Sequence, residues 1–444
     1  MLKDKIKIIL GELAETLPDN LIERDSSLDQ SLLQSRINKA ITIIGPRRAG
    51  KTWFMYQFMN SLIKRGKTVD DFLYINFEDE RLQPLAADNF QLILDAWFEL
   101  HGLKKKPLIF FDEIQNIDGW DKFIRRLIDQ SYRVVITGSN SKLLSSEIAT
   151  TLRGRTLTYE IFPFSFKEFL KFKGITPSSR LLFSKERHLL ASLFDQYLYC
   201  GGYPEIVLTD DKLTQNNIAQ NYFNTIFYRD LVERYNITNT ELLRHWMHLL
   251  LENISSLISY RKVENDFKSR GMQVSSSTLS KFAGYLEEAF FGTFLEIHSK
   301  SVRKRQTNPK KFYLVDQGLH NFLTLSFSEN KGRLLENTVF LELRRLKINT
   351  AYYKTKTGRE IDFITSENGN EQLIQVCYDI NHLETAEREK RALLKGMDEL
   401  NHVEGLILTN NYKAELEIKG KQVHLRPVYE WLLGVKGHNG WQSN

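Results

Sequence analysis

The sequence predicts an α/β protein: a parallel, doubly wound sheet with helices on both faces, then a helical middle region and a smaller α/β domain. Three observations predict it. Short apolar runs at 41–44, 72–77, 107–111 and 133–137 alternate with stretches of helical periodicity. A glycine-bounded turn, Gly45-Pro-Arg-Arg-Ala-Gly-Lys-Thr52, follows the first run, and an Asp112-Glu113 pair closes the third. Beyond Gln215 the strand signal stops, and it returns in strength after Ala351.

Taken in order, Met1 to Lys39 places Ile6, Ile9, Leu10 and Leu13 at helical spacing, breaks at Pro18, and reads as a helical preface. Ile41-Thr-Ile-Ile44 is apolar and β-branched, as a strand buried on both faces of a parallel sheet must be. The turn behind it matches G-x-x-x-x-G-K-[ST] in full. Gly45 and Gly50 let the backbone curl through Pro46, Arg47, Arg48 and Ala49, so that N–H groups from Gly45 to Trp53 face a phosphate. Lys51 is the residue to reach the β- and γ-phosphates. Thr52, at the start of a helix whose positive dipole end meets the anion, supplies a hydroxyl for Mg²⁺.

The helix through Trp53, Phe54, Phe58 and Leu62 ends near Gly66, and Phe72 to Phe77 reads as the next strand. A helix over 90–100 leads to Pro107-Leu-Ile-Phe-Phe-Asp112-Glu113. Asp112, at the strand's carboxyl end, is placed to hold the Mg²⁺ shell, and Glu113 to polarise an attacking water. After a helix over 120–130, the strand 133–137 runs into Gly-Ser139-Asn140-Ser. Ligands of such sheets gather outside the strands' carboxyl ends, which makes Ser139 or Asn140 a candidate contact to the γ-phosphate or the water. Leu152-Arg-Gly-Arg-Thr156 offers Arg153 and Arg155, either able to stabilise charge on a transferred phosphoryl group or to serve as a surface ion-pair partner. Catalytic roles are thus expected of Glu113, Asn140 and Arg155, and ATP and Mg²⁺ are the expected cofactors.

The segments GPRRAGKT, YINFEDERL, LIFFDEIQN, TGSNS and LRGRTLTYEIFPFSFKEFL, in that order, resemble the AAA+ type P-loop ATPases of bacteria and archaea that carry a C-terminal domain of unknown function. YLYCGGYPEIV, YRDLVERY, FYLVDQGL, GRLLENTVFLEL and GREIDFI extend the resemblance over about residues 20 to 430. It implies an AAA+-like nucleotide domain. The later motifs mark the family without naming a chemistry.

From Gln215 to Leu257 the periodicity is helical. Tyr260 to Lys268, a turn at Arg270-Gly-Met, Ser275 to Glu288 and a strand 293–298 fit a winged helix-turn-helix. Its hairpin tip, Ser299 to Lys311, carries six basic residues and no acid, so DNA is a candidate partner through 300–311, with a protein-contact loop as the alternative reading. In the last hundred residues a helix 334–347 precedes strands at 351–353, 360–364 and 373–377. Glu336 and Asp362 resemble the carboxylates of restriction-endonuclease-like nucleases. Gln375 and Cys377 stand where that pattern needs a carboxylate and a lysine, so the domain is expected to be inactive.

The expected domains are 1–170, 171–330 and 331–444. A composition of 42% hydrophobic and 26% charged residues is that of a globular protein, and a net charge of +6 over 444 residues does not by itself imply nucleic acid. Two cysteines exclude a disulfide framework and a zinc site of the usual kind, which with the absence of a signal-peptide core or an eighteen-residue apolar run points to the cytoplasm and away from membranes. Three functions are consistent with these readings: an ATP-driven switch acting on DNA, a nucleotide-gated protein-interaction module, and a nuclease. An oligomer is compatible with each.

Overall fold

The computed structural model of the chain describes residues 2–19, 21–26, 28, 39–103, 105–139, 154–176, 187–324, 330–380 and 382–434. They divide into two units, the first comprising Met1–Phe162 with Glu288–Phe290, the second Pro163–Glu287 with Phe291–Asn444. No described helix is long and apolar enough to cross a membrane.

The first unit is a five-stranded sheet of β1 (Ala40–Ile44), β2 (Phe72–Asn76), β3 (Leu108–Asp112), β4 (Arg133–Gly138) and β5 (Thr156–Glu160), in the order β2-β3-β4-β1-β5. Every pairing is parallel. The period of two along each strand divides the core. Ala40, Ile44, Leu73, Ile75, Ile109 and Phe111 join one cluster, which α1 (Leu2–Gly11), α3 (Gln91–His101) and α4 (Trp120–Asp129) complete with Ile6, Trp97 and Phe123. Ile41, Ile43, Phe72, Tyr74 and Phe110 join the other, under Phe54, Met55, Phe58 and Leu62 of α2 (Lys51–Ile63). This is the parallel P-loop sheet that the alternation of strands and helices predicts. All five carboxyl ends lie on one edge, where β1 meets α2 and β3 ends in Asp112.

In the second unit α5 (Phe166–Phe172), α6 (Arg187–Cys200), α7 (Lys212–Thr225) and α8 (Thr240–Glu252) supply the helical part. Then β6 (Ser256–Ile258), α9 (Tyr260–Ser269), α10 (Ser276–Glu288), β7 (Gly292–Leu295), α11 (Val302–Thr307) and β8 (Lys310–Leu314) follow, with the strands forming an antiparallel sheet in the order β6-β8-β7. After α12 (Gln317–Leu323) and α13 (Lys331–Arg345) comes a mixed six-stranded sheet, β13-β14-β12-β11-β10-β9. Here β9 (Asn349–Lys354), β10 (Glu360–Glu367) and β11 (Asn370–Cys377) form an antiparallel meander, α14 (Leu383–Leu400) crosses over, and β12 (Glu404–Thr409) pairs parallel with β11. The hairpin of β13 (Ala414–Ile418) and β14 (Lys421–Pro427) closes the sheet before α15 (Val428–Leu432).

The family motifs of this unit have a packing reason. Asp316 is buried, and its carboxylate accepts the Gly202 N–H at 2.7 Å and the Gly318 N–H at 2.9 Å. At Gly201, φ is +74° and a Cβ would stand 1.9 Å from Asp316 Oδ1, so the backbone can approach the carboxylate only without a side chain there. CGGYPE and VDQGL are thus the two halves of one pin.

The compact units part at Phe162, where the Tyr197 hydroxyl donates to Phe164 O at 2.8 Å and the Phe164 N–H to Gly202 O at 2.7 Å, drawing the segment from Pro163 into the second unit. The basic 299–311 tip is not a bare hairpin: Ser301 caps α11 by accepting the Lys304 N–H at 3.3 Å.

Candidate functional site

At the carboxyl end of β1, Gly45 has φ +150° and passes so close to β5 that a Cβ would lie 2.0 Å from Ile161 O. Gly50, at φ +92°, turns the chain into α2. Between them Arg48 is also left-handed at φ 61°, and Arg47 pairs with Glu78 at 3.6 Å. Pro46 and Ala49 are buried, and the Trp53 side chain turns outward, 55% exposed, against Tyr56. The run from Gly45 to Trp53 therefore lies at the junction of β1 and α2.

Two carboxylates at the end of β3 meet this loop. The Thr52 hydroxyl donates to Asp112 Oδ2 at 2.7 Å, and Lys51 Nζ lies 3.4 Å from Glu113 Oε1 while donating to Pro46 O at 3.1 Å. Thr137, at the end of β4, donates to Asp112 Oδ1 and accepts the Glu113 N–H at 2.9 Å. Tyr74 adds a 3.3 Å hydrogen bond to Asp112 Oδ2. Glu113 itself sits at φ 49°, a left-handed conformation that is costly for a residue with a side chain and that turns its carboxyl towards Lys51. Burial pushes the Asp112 carboxyl up, against the pull of the Thr137 and Thr52 hydroxyls. Burial also pushes Glu113 up, but the charge of Lys51, helped by Gln115, Arg47 and Ser139, outweighs it and leaves that carboxyl below the usual range.

These neighbours of the motifs include residues that sequence reasoning missed. Gln115 Nε2 donates to Glu113 and, at 3.3 Å, to Ser139 Oγ, so the end of β4 does reach the Glu113 carboxyl. Arg24 is 8% exposed and donates to Ala49 O at 2.8 Å and to Phe162 O, gripping the loop from the N-terminal segment. Its only signal was an arginine upstream of the loop. Among the residues expected to act on the phosphate, Asn140 and Arg153 lie outside the described residues. Arg155 precedes β5, pairs with Asp129, and accepts the Ala40 N–H at 2.9 Å, so it stands at the amino edge of the sheet, away from the loop of its own chain.

Thr52 and Asp112 present oxygen donors at one spot, with the second Asp112 oxygen fixed by Thr137, and this donor set fits a hard divalent cation such as Mg²⁺.

A second polar cluster lies in the C-terminal part. Lys311 of β8 is 2% exposed, with Nζ 2.7 Å from Glu336 Oε1, 2.6 Å from Glu360 Oε1 and 2.9 Å from Asp362 Oδ1. Tyr313 donates to Glu336 at 2.6 Å, and the Val376 N–H to Asp362 Oδ2 at 2.9 Å. Burial, then the Asp362 charge, push the Glu336 carboxyl up. Gln375 Nε2 donates to Glu389 Oε2 at 2.7 Å, and burial pushes the Cys377 thiol up to about 12. Lys311, the three carboxylates, Gln375, Cys377 and Glu389 border a 540 Å³ cavity. Lys311 therefore leaves the basic surface stretch in which its sequence neighbours place it: period two in β8 turns it inward to carboxylates 25 to 51 residues away. Lys310 and Arg305 are bound to Glu296 at 3.0 and 3.5 Å, whereas Lys300, Arg303 and Lys304 are exposed and, among the described residues, pair with no acid.

Residues 37–170 match the AAA domain family, and residues 191–330 and 331–430 match two families described as domains of unknown function. An uncharacterized protein of Methanocaldococcus jannaschii is 38% identical over 96% of this chain and 94% of its own length, and one of Haemophilus influenzae is 31% identical over 93% and 99%. Of solved structures, the Aeropyrum pernix ORC1 protein in complex with DNA is similar at 14% identity and a TM-score of 0.28, covering 72% of this chain and 91% of that one, too distant to carry argument.

Proposed function

The chain belongs to the family of these archaeal and bacterial relatives and carries an AAA domain, and from that premise we propose that it is a Mg²⁺-dependent ATPase. One observation carries the reading: the loop's lysine and threonine meet the two β3 carboxylates one to one, Lys51 with Glu113 and Thr52 with Asp112. Thr52 and Asp112 would hold Mg²⁺, whose charge offsets that developing on the phosphate oxygens. The loop N–H groups bind the β-phosphate, and Lys51 gives up Glu113 and the Pro46 carbonyl to the β- and γ-phosphates. Glu113 then orients a water and takes its proton as the water oxygen bonds to the γ-phosphorus and the bond to the bridging oxygen breaks. ADP leaves with that oxygen's electron pair. Ser139, through Gln115, is the sensor this arrangement favours. Asn140 and Arg155 remain proposals, the latter for the site of a neighbouring copy, since its place on this sheet keeps it from its own.

We propose further that the output is a conformational switch, with DNA as the candidate partner at Lys300, Arg303 and Lys304. Their exposure without acidic partners supports this. The C-terminal domain is read as nuclease-like and non-cutting, supported by a neutral Gln375 beside Glu389 and a Cys377 thiol that is uncharged near pH 7. The deciding experiment is ATP turnover with and without duplex DNA. No turnover in either case would end the ATPase reading, and turnover indifferent to DNA would move a protein partner ahead.

A further inference from the structure

The Lys311 cluster is a charged interior feature that ATP chemistry does not use. Lys311 Nζ stands 2.6 to 2.9 Å from one carboxylate oxygen of each of three residues, Glu336 on α13 and Glu360 and Asp362 on β10, and donates a hydrogen bond to Asp362 Oδ1. Each carboxylate thus has an oxygen held by the ammonium. Three carboxylates facing one point, two of them buried and Glu360 at the rim of the cavity, repel one another unless a cation sits among them. A divalent metal ion, a cationic side chain or a proton on one carboxylate can relieve that repulsion, and here an ammonium of the same chain stands among them.

We infer that Lys311 is a built-in cation: it takes the place that a divalent metal ion would need among Glu336, Glu360 and Asp362, and so excludes such an ion from that place in the native chain. This goes beyond the changes at Gln375 and Cys377, because it would hold even with both positions restored. It also gives the cluster a mechanical sense. Lys311 lies in the central strand of the β6-β8-β7 sheet, so the ion cluster fastens that sheet to α13 and β10.

The test uses the full chain without nucleotide, and its readout does not depend on ATP turnover. Iron(II) alone is added as the metal, ascorbate and peroxide generate radicals beside it, and backbone cuts are mapped by mass spectrometry. In the wild-type chain no cuts are expected around residues 336 and 360–362, whatever appears near Thr52 and Asp112. In Lys311→Ala and Lys311→Met, cuts appear there, excess Mg²⁺ suppresses them, and adding Asp362→Ala abolishes them. Cuts around 336 and 360–362 in the wild type overturn the inference. So do folded Lys311 variants that show none. Should neither variant fold, the wild-type map alone decides, since metal at that place in the native chain contradicts a built-in cation and its absence there agrees with one.

Discussion

At the scale of single residues, the nucleotide site was legible because its chemistry is local. Gly45, Gly50, Lys51 and Thr52 sit within eight positions, and geometry constrains their types. Thr137, Gln115 and Arg24 were not legible, because a threonine ending a strand or an arginine in a loop has a purpose only once the fold brings it to Asp112, Glu113 or Ala49. The Lys51–Glu113 contact at 3.4 Å refines what substitutions should do. Lys51→Ala removes a charge-assisted contact to the phosphates and is expected to weaken ATP binding by about 2–3 kcal/mol, on the order of a hundredfold. Glu113→Gln keeps the shape, loses the base, and frees Lys51 from its carboxylate. Turnover should fall about 10²–10⁴-fold while ATP binds as tightly as in wild type or more so. Nucleotide titration and steady-state turnover on both variants check this, and unimpaired turnover in Glu113→Gln would remove that residue from the chemistry. Asp316 offers a stability counterpart. Its two oxygens take two backbone N–H groups, and an asparagine has only one acceptor oxygen, so Asp316→Asn should cost about 2 kcal/mol. Burial pushes the Asp316 carboxyl up to about 7, well above the value near 3.9 expected of an unfolded chain. The fold then holds a proton that the unfolded chain has lost, so this contribution is fully present below about pH 4 and disappears as pH rises through about 7. Denaturation of both proteins at about pH 5 and about pH 8 should show the wild-type advantage shrinking at the higher pH. A constant or growing gap contradicts the assignment.

Whole elements were legible where one period dominated, and hard to read where charge had to be placed in three dimensions. The four strands 41–44, 72–77, 107–111 and 133–137 announce themselves through short, mostly apolar runs, and each is observed within a residue or two. The 299–311 stretch showed only composition. Its serine-capped helix α11 is too short for periodicity to reveal, and Lys311 looks like its neighbours until Glu336, Glu360 and Asp362 arrive from elsewhere. This divides six basic residues into three classes: exposed Lys300, Arg303 and Lys304, Glu296-bound Arg305 and Lys310, and buried Lys311. If DNA is the partner, an exposed cation gives up solvent counterions to meet a phosphate, whereas one bound to Glu296 must first break its ion pair. Arg303→Ala with Lys304→Ala is therefore expected to flatten the slope of log affinity against log salt by about 0.9 for each phosphate that is no longer neutralised, and Arg305→Ala by less. Fluorescence anisotropy with a duplex over a salt series reads this. A wild type with no salt-dependent binding would turn this element into a protein-contact surface.

At the scale of the whole molecule, the sequence reading divided the chain at 170 and 330, whereas the compact units part at Phe162, and everything from Pro163 except Glu288–Phe290 belongs together. The C-terminal sheet shares its charged floor with β8, through Lys311, so the middle and the end of the chain are joined by ion pairs that no motif spacing announces. This bears on whether the chain cuts nucleic acid. Restoring a nuclease-like pattern by Gln375→Glu and Cys377→Lys looks sufficient in the sequence alone, but in the structure both new charges meet occupied ground. A glutamate at 375 loses the 2.7 Å amide donation to Glu389 and sets two buried carboxylates against each other, and burial already pushes Glu389 up. A lysine at 377 could neutralise part of that charge, yet Lys311 still fills the space among Glu336, Glu360 and Asp362. The wild type is therefore expected to leave linear, supercoiled and single-stranded DNA, and RNA, intact in Mg²⁺ and in Mn²⁺. The Gln375→Glu, Cys377→Lys variant should stay inactive as well, and adding Lys311→Ala is the change expected to let metal in and produce cleavage, because only then is a carboxylate set free to bind it. Cleavage by the wild type that vanishes in Asp362→Ala would make the domain a working nuclease, and activity in the double variant with Lys311 intact would show that the ammonium does not bar the metal.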